Sequence, residues 1–91
     1  MSQESSRREV VIATVQSVVR DRYPYAIATA RGVSGTITFS LSRDRKVWQE
    51  ETWPEHGMQV VLGELRKKQG WRAFKARFLQ PGDEESKQLK F

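Results

Sequence analysis

Six basic side chains stand close together near the end of the chain, between Arg66 and Arg77, with no acidic residue among them. Trp71 and Phe74 interrupt this run. Lysine and arginine neutralise phosphate groups and aromatic rings stack on bases, so the segment contains both parts of a nucleic-acid contact. The candidates for phosphate contact are Arg66, Lys67, Lys68, Arg72, Lys75 and Arg77.

Two tyrosines in the stretch YPYAIATA form a second group of candidates. Tyr23 and Tyr25 flank Pro24, which lacks a backbone donor and therefore belongs at the start or edge of a strand. Either ring could stack on a base if a local irregularity turned it outward. The alternative is that both rings pack in the core.

The segment from Val33 to Leu41 alternates apolar and hydroxyl residues and gives the clearest strand signal in the chain. Thr36 and Thr38 share the hydroxyl face, where they could hydrogen-bond base edges or a ribose 2′-OH. Phe39 has the parity of the core. Phe39 is nevertheless a further candidate for stacking on a base, as is Trp71.

The inventory of reactive side chains does not favour an enzyme. His56 is the only histidine and cysteine is absent, so a zinc site, a thiol dyad and a disulfide all lack their parts. No phosphate-binding loop of the G-x-x-x-x-G-K type occurs. We therefore expect no catalytic residues, no metal and no cofactor.

The chain has 91 residues, enough for one small domain. Residues 9–81 hold 12 Lys and Arg against 7 Asp and Glu, which is the whole net charge of +5. Residues 1–8 and 82–91 are polar and are predicted to be flexible tails. No apolar segment resembles a signal peptide or a membrane span, so a cytoplasmic location is the default expectation.

Strand and turn signals predict an all-β domain. The predicted strands are Glu9–Val19 with a bend near Ser17, Tyr23–Ala30, Val33–Leu41, Met58–Arg66 and Trp71–Leu79. Between the third and fourth strands, residues 42–56 lack alternation and predict a short helical connector, with a turn over 47–53. Five strands with a connector after the third correspond to an OB barrel.

Parity along the last strand assigns its side chains to two faces. Phe74, Ala76 and Phe78 are expected in the core. The residues expected to point outward are Trp71, Ala73, Lys75 and Arg77. In the connector, at least one of Trp48 and Trp53 is expected to plug the end of the barrel.

The segment 23–41 resembles the second and third strands of the S-one type RNA-binding domain, an OB module first described in a ribosomal protein. The residues that carry this resemblance are Tyr23, Ile27, Gly32, Val33, Gly35, Ile37, Phe39 and Ser40. The chain is also similar to the cold-shock domain, at the aromatic pair Tyr23 and Tyr25 and at residues 56–62. It departs from these families at Pro24, which replaces a glycine, at Thr38, which replaces a histidine, and at Thr36, which replaces a cold-shock phenylalanine.

These resemblances imply an OB domain over residues 9–81 that binds single-stranded nucleic acid, RNA rather than DNA, with low sequence specificity. The alternative is a protein-interaction module that docks on a larger assembly, such as the ribosome or RNA polymerase, through Trp48 and Trp53. A barrel of the SH3 type is a third reading and requires a different pairing of the strands.

Overall fold

The computed structural model describes residues 6–7, 10–67 and 69–84, and all structural statements below refer to these ranges. They contain six strands and one 3-10 turn. The strands are β1 (Ser6–Arg7), β2 (Val11–Val19), β3 (Tyr25–Ala30), β4 (Ile37–Ser40), β5 (Gln59–Lys67) and β6 (Trp71–Phe78), and the 3-10 turn spans Arg43–Arg45. No helix in these ranges is long and apolar enough to cross a bilayer.

Strands β2 to β6 close into a barrel. Its order is β2-β3-β4-β6-β5, and β5 returns to pair with β2. All contacts are antiparallel except β4 with β6, which run parallel at Ile37–Trp71 and Thr38–Arg72. The predicted all-β, five-stranded OB barrel is confirmed, and the strand pairing rules out the SH3 reading. The short β1 lies within the predicted N-terminal tail and adds to β5 outside the closed ring.

Alternating apolar residues fill the interior. Ile37 and Phe39 of β4 are completely buried, as their parity predicts, because one face of β4 meets the inner faces of the other strands. The Trp48 ring stacks on Phe39 at 5.8 Å between ring centroids and meets Phe78 edge-on at 4.8 Å. Trp48 and Trp53 both pack against the core, which agrees with the expected indole plug.

The predicted short helical connector is confirmed, but its helical turn lies at a different position. Its helical content is the 3-10 turn, which comes directly after β4 instead of over residues 47–53. At Trp48 the chain is extended and forms a parallel bridge with Ala76 of β6, flanked by backbone hydrogen bonds of 3.0 Å. Packing of the partly buried Trp48 ring against the core therefore favours an extended segment beside β6 over the helical turn that its spacing predicted.

Three strands of the barrel, β2, β5 and β6, depart from strict alternation. Gln16 forms a bulge in β2 between Val15 and Ser17, close to the predicted bend. In β5, Glu64 adopts a left-handed conformation with φ of 52°, and Glu64 and Phe74 are both absent from the β5–β6 ladder. At Glu64 and Phe74, β5 and β6 therefore each carry one residue more than regular alternation of inward and outward side chains allows.

This irregularity corrects the predicted parity of the last strand. Ala73, expected outside, is 1% exposed, and Trp71 packs partly against the core. Phe74, expected inside, is half-buried and is not part of the core cluster. Ala76 is buried as predicted, so parity holds only after the irregularity.

A turn that follows β6 is tied back to the barrel by one ion pair. The Arg77 guanidinium donates to both carboxylate oxygens of Asp83, at 2.9 and 3.1 Å. The backbone N–H of Gln80 donates to the same carboxylate at 2.6 Å. Both side chains of the pair are mostly buried, with exposures of 11% and 14%. Asp83 lies in the predicted C-terminal tail, yet it holds this turn against β6.

We expect the stability of the domain to depend on the ionisation of Asp83. The hydrogen bond from Arg77, and then that from Gln80, lower the pKa of Asp83 below its ordinary value of 3.8. Stabilisation by the carboxylate is therefore complete above that value and is lost as the pH falls through the lower pKa of the folded state. Urea unfolding at a series of pH values should show Asp83→Asn less stable than wild type at neutral pH, with the difference disappearing in acid. A difference that is independent of pH would contradict this role.

Candidate nucleic-acid interface

The outward face of β3 and β4 brings the predicted tyrosine and threonine candidates together. Ala26 and Ala28 point into the core, so alternation turns Tyr25 and Ile27 to the outside. On β4 the outward residues are Thr38 and Ser40. Tyr25 is opposite Ser40 and Ile27 is opposite Thr38 in the ladder. Tyr25 is 37% exposed and Tyr23, in the preceding bend, is 70% exposed, so neither ring is sealed in the core.

A cleft of about 380 Å³ opens at one end of this face, and we call it the aromatic cleft. The ladder between β6 and the preceding chain is interrupted here, between the pair Thr38–Arg72 and the bridge Trp48–Ala76. The intervening chain loops outward through the 3-10 turn. The residues around the cleft include four aromatic residues, three serines and threonines and two arginines: Tyr23, Tyr25, Phe39, Phe74, Thr38, Ser40, Ser42, Arg45 and Arg72.

Phe74 enters the aromatic cleft because of the irregularity in β5 and β6. Its ring lies beneath the Arg66 guanidinium, with 5.1 Å between the guanidinium carbon and the ring centroid. This distance is within the range of a cation–π contact. Arg66, predicted to contact phosphate, is thus held beside a ring of the cleft.

A second depression of about 440 Å³ continues along β4 and β6, and we call it the hairpin groove. Thr36, Thr38, Trp71 and Arg72 line it. Thr38 and Arg72 belong to both depressions, so the two form one continuous surface. The Lys67 ammonium lies 5.8 Å from the centroid of the Trp71 ring. Four of the predicted residues therefore meet in this groove.

The basic side chains of the hairpin fall into two groups. Lys75 forms an ion pair with Glu64 at 3.9 Å, and Arg77 is 9% exposed and bound to Asp83. Within the described ranges, Arg66, Lys67 and Arg72 have exposed side chains and take part in no ion pair. The predicted outward, phosphate-facing position of Arg77 is thus corrected, because Asp83 occupies its guanidinium. Lys68 lies outside the described residues.

Phe39 is the second correction to the predicted site. Phe39 lies among the residues around the aromatic cleft, but its side chain is 0% exposed and packs against Trp48, so its ring has no surface on which a base could stack. The place of Phe39 among the alternating apolar residues of the segment 33–41 therefore predicted its burial correctly.

The 3-10 turn places charged groups at the rim of the aromatic cleft. The Ser42 hydroxyl hydrogen-bonds the Asp44 carboxylate. This hydrogen bond is the main cause that lowers the pKa of Asp44, and the charge of Arg45 is a smaller one. Arg45 lines the cleft, whereas Asp44 does not.

Sequence reasoning missed four residues of this surface. Ser40 shares the outward parity of Thr38 and could have been included on that ground. Phe74 was assigned to the core by parity that the irregularity breaks. Ser42 and Arg45 have no local signal, because their position depends on how the 3-10 turn folds back over β6.

Other kinds of site find little support in the described ranges. No three His, Asp or Glu side chains in them are grouped so that they could hold a metal ion. His56 lies exposed in a turn. Comparison of the chain with protein-family models, with curated protein sequences and with solved structures finds no match. The candidate interface is therefore defined only by the geometry of its residues.

Proposed function

We propose that this domain binds single-stranded nucleic acid, RNA in preference to DNA, across the aromatic cleft and the hairpin groove. The observation that carries the proposal is the meeting of Tyr23, Tyr25 and Phe74 with Arg45 and Arg72 in one cleft. Rings and guanidinium groups in contact with the same open space match the two chemical parts of a nucleotide.

The aromatic rings provide the sequence-tolerant part of binding. Every base has a flat π-face, and stacking on an aromatic side chain contributes about 1 to 3 kcal/mol per base. Tyr23 and Tyr25 are exposed on the β3 side, and Trp71 lines the hairpin groove on the β6 side. A strand that follows the surface would meet these rings in succession.

The cations provide the phosphate contacts. Arg66 and Lys67 lie over Phe74 and Trp71, so their charges are held next to rings on which bases can stack. Arg72 lies between the two depressions. Release of counterions from the strand makes such contacts strongly dependent on salt. Catalysis forms no part of the proposal.

The preference for RNA rests on hydroxyl groups and on the resemblance to RNA-binding families. Thr36, just before β4, and Thr38, within β4, line the hairpin groove with Arg72, and their hydroxyls can exchange hydrogen bonds with a ribose 2′-OH. A DNA strand lacks that group. An RNA and a DNA oligonucleotide of one sequence should therefore differ in affinity.

Binding can be tested with a fluorescent single-stranded RNA of about eight nucleotides, which is within the site size of one OB barrel. Affinity should fall steeply between about 50 and 200 mM salt. Backbone amide shifts during the titration should be largest at Thr38, Ser40, Arg72 and Phe74. Amide shifts confined to the turn around His56, or an affinity that does not change with salt concentration, would contradict the proposed interface.

The alternative of a docking module has weaker support. It requires an exposed pair of indoles in the connector, but Trp48 and Trp53 pack against the core. The Trp48 ring nitrogen donates to the Thr52 carbonyl at 2.8 Å, and the Arg20 guanidinium lies 5.1 Å from the Trp53 ring centroid. Both indoles are therefore partly buried and in contact with neighbouring groups, which leaves less of their surface for docking on a ribosome or polymerase.

A further inference from the structure

The polar side chains of the aromatic cleft are mainly hydrogen-bond donors. Two guanidinium groups, those of Arg45 and Arg72, line it, and a guanidinium donates but never accepts. Among the described residues, neither a carboxylate nor a side-chain amide lines the cleft. A ligand that presents acceptors to this cleft therefore meets both guanidinium groups, whereas one that presents donors meets only hydroxyl oxygens as acceptors.

The remaining polar groups strengthen this bias on one wall of the cleft. The Ser40 hydroxyl oxygen already accepts the Ser42 backbone N–H at 3.1 Å, so its own proton is available to donate. The Pro24 carbonyl, beside the same wall, already accepts the Leu41 N–H at 2.9 Å. Acceptors remain on the hydroxyl oxygens of Thr38, Tyr23 and Tyr25 and on that of Ser42, whose own proton is committed to Asp44.

The dimensions of the cleft suit one base. Its volume of about 380 Å³ is near the lower end of the range for small-ligand sites. Tyr25 on β3 and Phe74 on β6 line it from different strands, and Arg66 covers one side of the Phe74 ring. A base that leaves the strand and enters here can contact both rings while its edge faces the arginines.

We infer that the aromatic cleft selects keto bases, guanine and uracil, over the amino bases adenine and cytosine. Guanine and uracil present a carbonyl oxygen at the position where adenine and cytosine present an amino group. Arginine is the side chain that reads the O6 and N7 acceptors of guanine with two hydrogen bonds. This inference rests on the proposed function and adds one selective position to an otherwise sequence-tolerant surface.

Two pairs of RNA oligonucleotides isolate the chemical difference. Uridine and cytidine oligomers differ at the pyrimidine C4 position, and inosine and adenosine oligomers differ at the purine C6 position, carbonyl against amino in both cases. For oligomers of about six nucleotides, the keto member of each pair should bind about tenfold more tightly, the effect of one well-placed base contact. Titrations at one salt concentration keep the phosphate contribution the same within a pair.

A charge-conserving variant tests whether the arginines are responsible. Arg45→Lys with Arg72→Lys keeps both charges but removes the guanidinium fork, so phosphate attraction should persist. We expect the keto-to-amino ratio to fall several-fold while the affinity for cytidine oligomers changes little, because a lysine ammonium still donates but lacks the paired N–H groups of the fork. A ratio that stays at its wild-type value in this variant would overturn the assignment of the keto preference to the two arginines.

The outcomes separate this inference from the function on which it rests. Equal, salt-sensitive affinity for both members of each pair would overturn the keto preference and leave single-strand binding in place. A preference for the amino bases would also overturn it. Failure of all four oligomers to bind would remove the proposed function, and the keto preference with it.

Discussion

Replacing Arg66, Lys67 and Arg72 together by Ala should lower the affinity for single-stranded RNA by on the order of a hundredfold at low salt. Hydrogen bonds to charged groups contribute roughly 1.5 to 3 kcal/mol when fully formed, and about 1.4 kcal/mol is a factor of ten. Solvent at this exposed surface reduces each contribution, so the estimate stays well below the full sum. Fluorescence anisotropy across a salt series measures both the affinity and its slope.

The dependence of affinity on salt distinguishes the loss of specific phosphate contacts from a general loss of positive charge. For single strands the slope of log K against log salt flattens by about 0.7 per lost contact, hence by about two for three contacts. Arg31, Arg43 and Lys75 provide a matched control, since all three are exposed and line neither depression. Their joint replacement by Ala removes the same charge and should change the slope much less. Equal effects of the two triple variants would show that binding follows net charge alone.

Truncating the exposed rings should have the next largest effect. Tyr23→Ala and Tyr25→Ala should each weaken RNA binding by roughly 5- to 150-fold, the equivalent of about 1 to 3 kcal/mol of stacking per base. Tyr23 is 70% exposed, so its removal should leave the free energy of unfolding almost unchanged. Oligonucleotide affinity and urea unfolding, measured on the same variants, separate binding from stability.

Tyrosine-to-phenylalanine replacements are the control for the rings. Tyr25→Phe keeps the π-face and removes only the hydroxyl, so it should bind RNA within a few-fold of wild type. If Tyr25→Ala and Tyr25→Phe weaken binding equally, the hydroxyl and not the ring is the contact. If neither tyrosine affects binding, bases do not stack on β3.

The fold was predictable because its strongest signals are local. Alternation along β4 assigned Ile37 and Phe39 to the core and Thr38 to the surface, and the structure agrees. The positions of the five barrel strands follow from the same alternation and from the turns between them. For the two tyrosines, strict alternation favoured packing in the core, and an outward ring was expected only with a local irregularity near Pro24. The structure instead buries Ala26 and Ala28, so regular alternation along β3 turns Tyr25 outward.

Other parts of the surface depend on contacts that sequence spacing does not encode. Gly63 marks a weak point in β5, but the left-handed residue is Glu64, and this change moves Phe74 out of the core. The partner of Arg77 is Asp83, which follows the Pro81 that was expected to end the domain. Arg45 reaches the cleft only through the turn after β4. Each miss therefore comes from a local irregularity or a non-local contact.

The short strand β1 protects an edge that the barrel would otherwise leave open. Strand β5 pairs with β2 only as far as Leu62, and beyond the kink at Glu64 its outer side pairs with β1, at Leu65 and Arg66. Unpaired backbone groups along a strand are a template for joining another chain edge to edge. Because β1 occupies this edge, the backbone of the β5–β6 hairpin is less available to pair with a strand of another molecule.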